Sequence, residues 1–296
     1  MTDSTALADL SQAVEAAARR AAPLVAGLDW CGHHHVSGIL WRPGLLVTSE
    51  QSLPDSECYG ATLPGGARVA ATLAGRDPST NIAALRLESD PPPVPHAEPG
   101  GVGALVMALG SDGAGEITAR LGAVEVLGAA WESMHGGRID RLIRLGVRLG
   151  QMAEGGPVID AHGRLLGMST FGPRHSVLVI PSATIARVLE PLLREGRITR
   201  GWLGVGLHPV ALPRELAERA GAGHGLMVVN IAEGAPAAGV LLPGDILLAI
   251  DDTPVASPRN VAAVLGSEKI GQTVTLKVLR GGALTAPGLT VSARPA

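Results

Sequence analysis

Glu154 stands in the loop Gln151-Met152-Ala153-Glu154-Gly155-Gly156-Pro157, directly ahead of the apolar pair Val158-Ile159. Two glycines and a proline make a tight turn, and the amides of such a turn can converge on one point. A carboxylate there could work as an acid or base, ligate a metal, or plug the anion site formed by its own loop. The plainer reading is a surface loop carboxylate. His33-His34-His35 is the second group able to do chemistry. On a strand His33 and His35 share a face, and with a carboxylate they could bind Zn²⁺ or Cu²⁺. The alternative is an exposed polar edge ahead of Val36-Ser37-Gly38-Ile39. No further ligand at a telling spacing, no CxxC or HExxH motif and no nucleotide-type glycine loop accompanies these groups. No cofactor is therefore expected.

The elements that must position these residues are mostly strands. Leu7, Leu10, Val14, Ala17, Ala18, Ala21 and Val25 recur at helical spacing, which predicts one amphipathic helix over 6–26, ending near Pro23 or Gly27. The pattern then changes to short apolar or alternating runs at 36–41, 44–48, 68–73, 82–87, 104–109, 117–126, 139–147, 158–159, 165–170 and 177–180. Gly, Pro, Asp and Ser separate them, as in a β-barrel or sandwich. The proline-rich stretch Asp90 to Gly103 reads as a linker between two halves. Ser182 is expected to cap a helix carrying Ile185, Val188, Leu189 and Leu192 and stopped by Gly196, with Pro191 kinking or breaking it. A second β-rich segment follows, with strands at 226–229, 246–250 and 274–279. A short helix over 258–265 has Ser257 as its N-cap.

With 296 residues the chain can hold two or three domains, and its formal charge of −3 offers no electrostatic case for nucleic acid. Aromatic residues are only 2%, so the core must be built from Val, Leu, Ile and Ala. No apolar run is long enough to span a bilayer. The start, Met1-Thr2-Asp3-Ser4-Thr5, lacks the order of a signal peptide, and Cys31 and Cys58 read as unpaired thiols. Both features lead to the expectation of a cytoplasmic protein.

Three motifs in order now point to one family. Arg200-Gly201-Trp202-Leu203-Gly204-Val205 is followed by Gly234-Ala235-Pro236-Ala237-Ala238-Gly239 and by Leu242-Pro243-Gly244-Asp245-Ile246. This order resembles the PDZ domain of the HtrA (DegP/DegQ-like) serine proteases. Gly155-Gly156-Pro157, Gly167-Met168-Ser169-Thr170 and Val179-Ile180-Pro181 are similar to the end of the protease domain in that family. The resemblance implies a mostly β fold: a short N-terminal helix, a chymotrypsin-like double β-barrel over 1–196 and a PDZ domain over 197–296. It also locates the family's catalytic positions. Gln51, in Leu46-Val47-Thr48-Ser49-Glu50-Gln51, stands for the histidine. Asn81, in Asn81-Ile82-Ala83-Ala84-Leu85, stands for the aspartate, and Glu154 stands for the serine.

Gln51 has no group that takes and returns a proton near neutral pH, Asn81 has no charge to steady an imidazolium, and Glu154 is no hydroxyl nucleophile. The resemblance with these substitutions implies a pseudoprotease that binds peptides or protein C-termini, as a scaffold, chaperone or regulator. The alternatives are a serine-type endopeptidase with an unorthodox site around Glu154, and a metal protein using His33 and His35. The peptide site implied by the PDZ resemblance is the carboxylate loop Trp202, Leu203, Gly204 and Val205. Its groove would run between Leu207 and the helix carrying Val261 and Leu265. A homo-oligomer is allowed. Trimers of this family are held by aromatic contacts near the N-terminus, and no Phe or Tyr precedes Tyr59 here.

Overall fold

A computed structural model describes residues 3–30, 34–56, 58–93, 95–133, 136–198 and 200–293. The chain forms two compact units, one of residues 1–133 with 138–198 and one of 134–137 with 199–296. Cys31 and His33 lie outside the described residues, and Cys58 is a free, exposed thiol. Among the described residues no helix is long and apolar enough to cross a membrane.

The first unit opens with helix α1 (Asp3–Ala21). Its small side chains Ala17 and Ala21 let it pack closely on Val25, Met107, Leu109 and Ile159. The helix expected over 6–26 stops at Ala21, close to Pro23, the earlier of its two expected ends, and short of Val25. Pro23 supplies no N–H for a further turn, and Val25 already belongs to strand β1 (Val25–Trp30). Strands β2 (His34–Arg42), β3 (Leu45–Ser49), β4 (Tyr59–Thr62), β5 (Arg68–Asp77) and β6 (Ile82–Leu87) join it. They close into a barrel in the order β1-β2-β3-β6-β5-β4.

The proline-rich stretch then leads to β7 (Leu105–Ser111) and β8 (Ile117–Gly128). A small ribbon of β9 (Trp131–Glu132) and β10 (Arg138–Ile139) intervenes before β11 (Leu142–Leu145), β12 (Pro157–Asp160), β13 (Leu165–Phe171) and β14 (Val177–Pro181). The second closed barrel runs β11-β14-β13-β12-β7-β8. Each barrel has its own aliphatic interior, and a third cluster joins them. There Ile39, Val47 and Ile82 of the first barrel meet Met168 and Ile180 of the second, together with Ile185, Val188, Leu189 and Leu192 of helix α2 (Ser182–Glu195).

Two expectations for α2 need correction. Ser182 is the first helical residue, the N-cap position is held by Pro181, and no side chain caps the end. Pro191 does not break the helix, which runs on to Glu195 and stops at Gly196 in the left-handed region. The apolar face buried on both sides of Pro191 outweighs the one backbone hydrogen bond that proline cannot make.

The second unit contains β15 (Gly201–Trp202), β16 (Val205–Ala211), α3 (Arg214–Ala220), β17 (His224–Ile231), β18 (Ile246–Ile250) and β19 (Thr253–Pro254). After α4 (Pro258–Val264) come β20 (Thr273–Arg280), β21 (Ala283–Thr285), β22 (Gly288–Thr290) and β23 (Ser292–Ala293). The main sheet runs β16-β17-β18-β20-β21, so β16 is an edge strand. Ser257 caps α4 as expected, accepting from the Asn260 N–H at 3.2 Å. Asp245, only 2% exposed, is held by Arg280, whose guanidinium donates to both carboxylate oxygens at 2.9 and 2.7 Å. That guanidinium, with the Leu242 N–H, keeps the Asp245 carboxyl below the usual carboxylate range against the opposing effect of burial.

Candidate functional site

Three segments of the first unit bring Gln51, Asn81 and Glu154 together. Gln51 lies in the 3₁₀ turn Glu50–Ser52 that follows β3. Asn81 ends the β5–β6 turn in the left-handed region, with φ 59°, a conformation that asparagine tolerates better than most residues. Asp77 braces that turn by accepting from the Ser79 N–H at 3.0 Å and the Thr80 hydroxyl at 2.6 Å. Glu154 follows the 3₁₀ turn Gln151–Ala153 and is fixed at its carbonyl by the Ser37 N–H at 2.9 Å. The two glycines after it are required by space. A Cβ on Gly155, at φ 85°, would lie 2.3 Å from the Ser37 carbonyl oxygen, and one on Gly156 would lie 2.0 Å from that of Leu109.

Glu154 is not a surface carboxylate, being only 6% exposed. Four donors meet on its Oε1: the Gln51 amide at 2.5 Å, the Thr170 hydroxyl at 2.8 Å, the Ser49 hydroxyl at 3.0 Å and the Phe171 N–H at 3.1 Å. Asn81 completes the cluster. Its amide nitrogen donates to Thr170 Oγ1 at 2.7 Å and to Ser49 Oγ at 3.0 Å, and its oxygen accepts from the Gln51 N–H at 2.8 Å. Every donor in this set has an acceptor, as a buried polar network requires.

The loop around Glu154 does not hold the carboxylate in its own amides either. The N–H groups of Ala153, Glu154, Gly155 and Gly156 donate to the carbonyls of Gly150, Gln151, Ser169 and Ala153. The alternative in which Glu154 plugs its own loop's anion site thus gives way to a carboxylate swung onto β13. Sequence reasoning missed Ser49 and Thr170. Both are ordinary hydroxyl residues, and only their meeting across two barrels gives them a role.

His35 pairs opposite Asp29 on the β1–β2 ladder, and its ring packs where a Cβ on Gly113 would stand. Among the described residues no group of three or more His, Cys, Asp or Glu is placed to hold a metal. The predicted partner of His35, His33, falls outside them.

In the second unit, Trp202, Leu203, Gly204, Val205, Leu207, Val261 and Leu265 all line one groove of about 160 Å³, with Arg200 at its wall. Gly204 has φ 78°, and a Cβ there would meet Ala235 at 2.1 Å. The carbonyls of Leu203 and Gly204 are taken by the N–H groups of Ala237 and Ala232, at 3.0 and 2.8 Å. Among the described residues the N–H groups of Leu203 and Gly204 have no acceptor, so two donors remain beside the groove.

Comparison with known proteins agrees with both units. Residues 36–168 match the trypsin-like peptidase domain and residues 201–287 match a PDZ domain. A probable periplasmic serine endoprotease, DegP-like, from Brucella suis biovar 1 (strain 1330) is 28% identical over 273 residues, covering 87% of this chain and 52% of the relative. Its counterpart from Chlamydia pneumoniae is 27% identical over 276 residues, covering 88% of this chain and 55% of the relative. The chain thus spans about half the length of the curated relatives it matches. Among solved structures, the HtrA-type protease AlgW with decapeptide aligns with a TM-score of 0.76 at 25% identity, covering 95% of this chain and 98% of that one. AlgWS227A with tripeptide gives 0.77 at 28% identity, covering 94% and 96%.

These relatives correct two sequence expectations. They are named periplasmic, which overturns the cytoplasmic placing. They are named serine endoproteases, which conflicts with the pseudoprotease expected of this chain. A trypsin-like double barrel followed by a PDZ domain, with DegP-like relatives along most of its length, makes this chain a member of the HtrA/DegP-like family.

Proposed function

We propose that this chain binds the C-terminal ends of peptides or proteins in the PDZ groove, and that its barrel unit serves as a scaffold, chaperone or regulatory platform. The observation that carries the reading is the pair of unused N–H groups at Leu203 and Gly204 beside the apolar wall of Val205, Leu207, Val261 and Leu265. Two adjacent amides suit a carboxylate, the edge strand β16 can take on a short extended segment, and the wall suits an apolar last side chain. The peptides bound to the AlgW relatives favour the same use, and the names of the curated relatives favour a periplasmic setting.

Gln51, Asn81 and Glu154 occupy the family's catalytic positions in this reading. They supply no nucleophilic hydroxyl and no proton-shuttling base, so peptide hydrolysis by the serine mechanism does not occur there. The test is calorimetry of the full chain with one apolar-ended peptide, as free acid and as C-terminal amide. The free acid should bind at least about tenfold more tightly. Equal binding of the two forms rules out carboxylate capture.

The relatives' names favour a second reading, an endopeptidase with an unorthodox site around Glu154. It requires turnover of a general peptide substrate that is lost in Glu154→Ala. Absence of turnover in the parent chain ends it.

A further inference from the structure

Beside the Glu154 cluster the first unit opens a cavity of about 780 Å³, within the range of small-molecule sites. Gln51, Leu149 and Phe171 form part of its wall, together with Arg148, Arg174 and His175. No acidic residue lines it. Glu154 lies close by, but Gln51 is the residue at the wall, and its amide is turned onto the Glu154 carboxylate.

Arg148 and Arg174 have no carboxylate partner among the described residues, whereas Arg144, Arg164 and Arg187 of the same unit each pair with one. The segment presenting Arg174 is also built. Arg174 and His175 both have φ 57°, a left-handed backbone that side chains with a Cβ avoid. The Gly172 N–H closes the loop on the Ser176 carbonyl at 2.8 Å, the Ser176 N–H returns to the Pro173 carbonyl at 3.2 Å, and the His175 ring stands edge-on to Phe171. Two unpaired guanidiniums are thus held at the wall of one concave space with an apolar side at Leu149 and Phe171. A guanidinium presents a planar fork of donors that fits carboxylate and phosphate oxygens, and a walled cleft of one charge concentrates the opposite one.

We propose that this cavity binds an oxyanion, a carboxylate or phosphate group, with Arg148 and Arg174 as its counter-charges. Its lining residues all belong to the first unit, and those of the PDZ groove to the second.

The experiment is calorimetric titration of the full chain with inorganic phosphate, with citrate and with a hexaglutamate peptide blocked at both ends, and with glycerol as the neutral control. At least one anion should bind and glycerol should not. The identity of the anion that binds separates a free phosphate or small carboxylate from an acidic peptide. Arg148→Gln and Arg174→Gln should each weaken binding about tenfold or more, and the double variant should abolish it. Arg148→Lys and Arg174→Lys should retain part of it. Arg214→Gln, at an exposed arginine of the other unit, should leave it unchanged. Arg148 and Arg174 are exposed and unpaired, so the variants keep the fold. The proposal is overturned if none of the three anions binds up to about 10 mM, or if the double Gln variant binds as the parent does.

Discussion

Removing the Glu154 carboxylate should destabilise the barrel unit by an amount that can be worked out donor by donor. In Glu154→Ala the Ser49 hydroxyl can turn to Asn81 Oδ1, 3.2 Å away, and the Gln51 amide still has Thr170 Oγ1 and the Phe171 carbonyl within reach. Among the described residues the Phe171 N–H has no second acceptor, and the Thr170 hydroxyl keeps only a long contact to Ser49 Oγ at 3.4 Å. One buried donor without a partner and one left with a long bond cost about 1–3 kcal/mol each, so the loss should be roughly 2–6 kcal/mol. Glu154→Gln keeps a carbonyl oxygen for those donors and loses only the strengthening due to charge. Its cost should be about 1 kcal/mol.

The assay is urea unfolding in a Trp202→Phe background, which leaves Trp30, Trp41 and Trp131 as reporters, all in the barrel unit. With a slope near 2 kcal/mol/M, the Ala variant should unfold at about 1–3 M less urea and the Gln variant at about 0.5 M less. If the Ala variant unfolds with the parent, Oε1 is not what satisfies these donors. If Gln costs as much as Ala, acceptor geometry is not what the site depends on.

Gly155→Ala or Gly156→Ala should lose about 3 kcal/mol or more and give largely insoluble protein, because neither carbonyl in the way can move without breaking the barrel; soluble yield and melting temperature check this. Arg280→Ala should lower the unfolding midpoint of the PDZ unit at neutral pH, because it leaves the buried Asp245 carboxylate without its main partner. The Asp245 carboxyl is depressed in the folded state, so its contribution is full above an unfolded value of about 4 and fades as pH falls through the lower folded value. Parent and Arg280→Ala midpoints should therefore converge below about pH 4. Glu154→Ser alone should stay unlabelled by a fluorophosphonate probe, since Gln51 cannot take the hydroxyl proton; efficient labelling would show that another base is in reach. Val261→Asp should weaken a free-acid peptide by about tenfold in calorimetry, through a charge placed on the apolar wall.

The sequence is most legible where a short apolar run is flanked by turn residues. Ile82–Leu87 and Ile246–Ile250 read correctly to the residue, and the Ser257 cap of α4 is a local signal that local structure obeys. Strands β1 and β4 escape notice for different reasons. The helical spacing of α1 runs on into Val25, and Tyr59-Gly60-Ala61-Thr62 is too short to show a period. At the site, motif order brings out Gln51, Asn81 and Glu154, but not what the carboxylate does. Its partners come from β3, β13 and the turn after β3, separated by up to 105 residues, and no local pattern records such a meeting. The expected surface carboxylate is buried because those donors offset the cost of removing it from water.

The edge strand Val205–Ala211 carries Pro209 at its middle. An open strand edge is a template for any extended chain, including another copy of the same protein. A proline there has no N–H to offer, so pairing along the edge is interrupted before it can lengthen. If the groove takes peptides as proposed, what can still add is a tail of a few residues beside Val205 to His208, anchored at its end. The residue that would interrupt edge-to-edge pairing of copies would then also set a length limit on such guests.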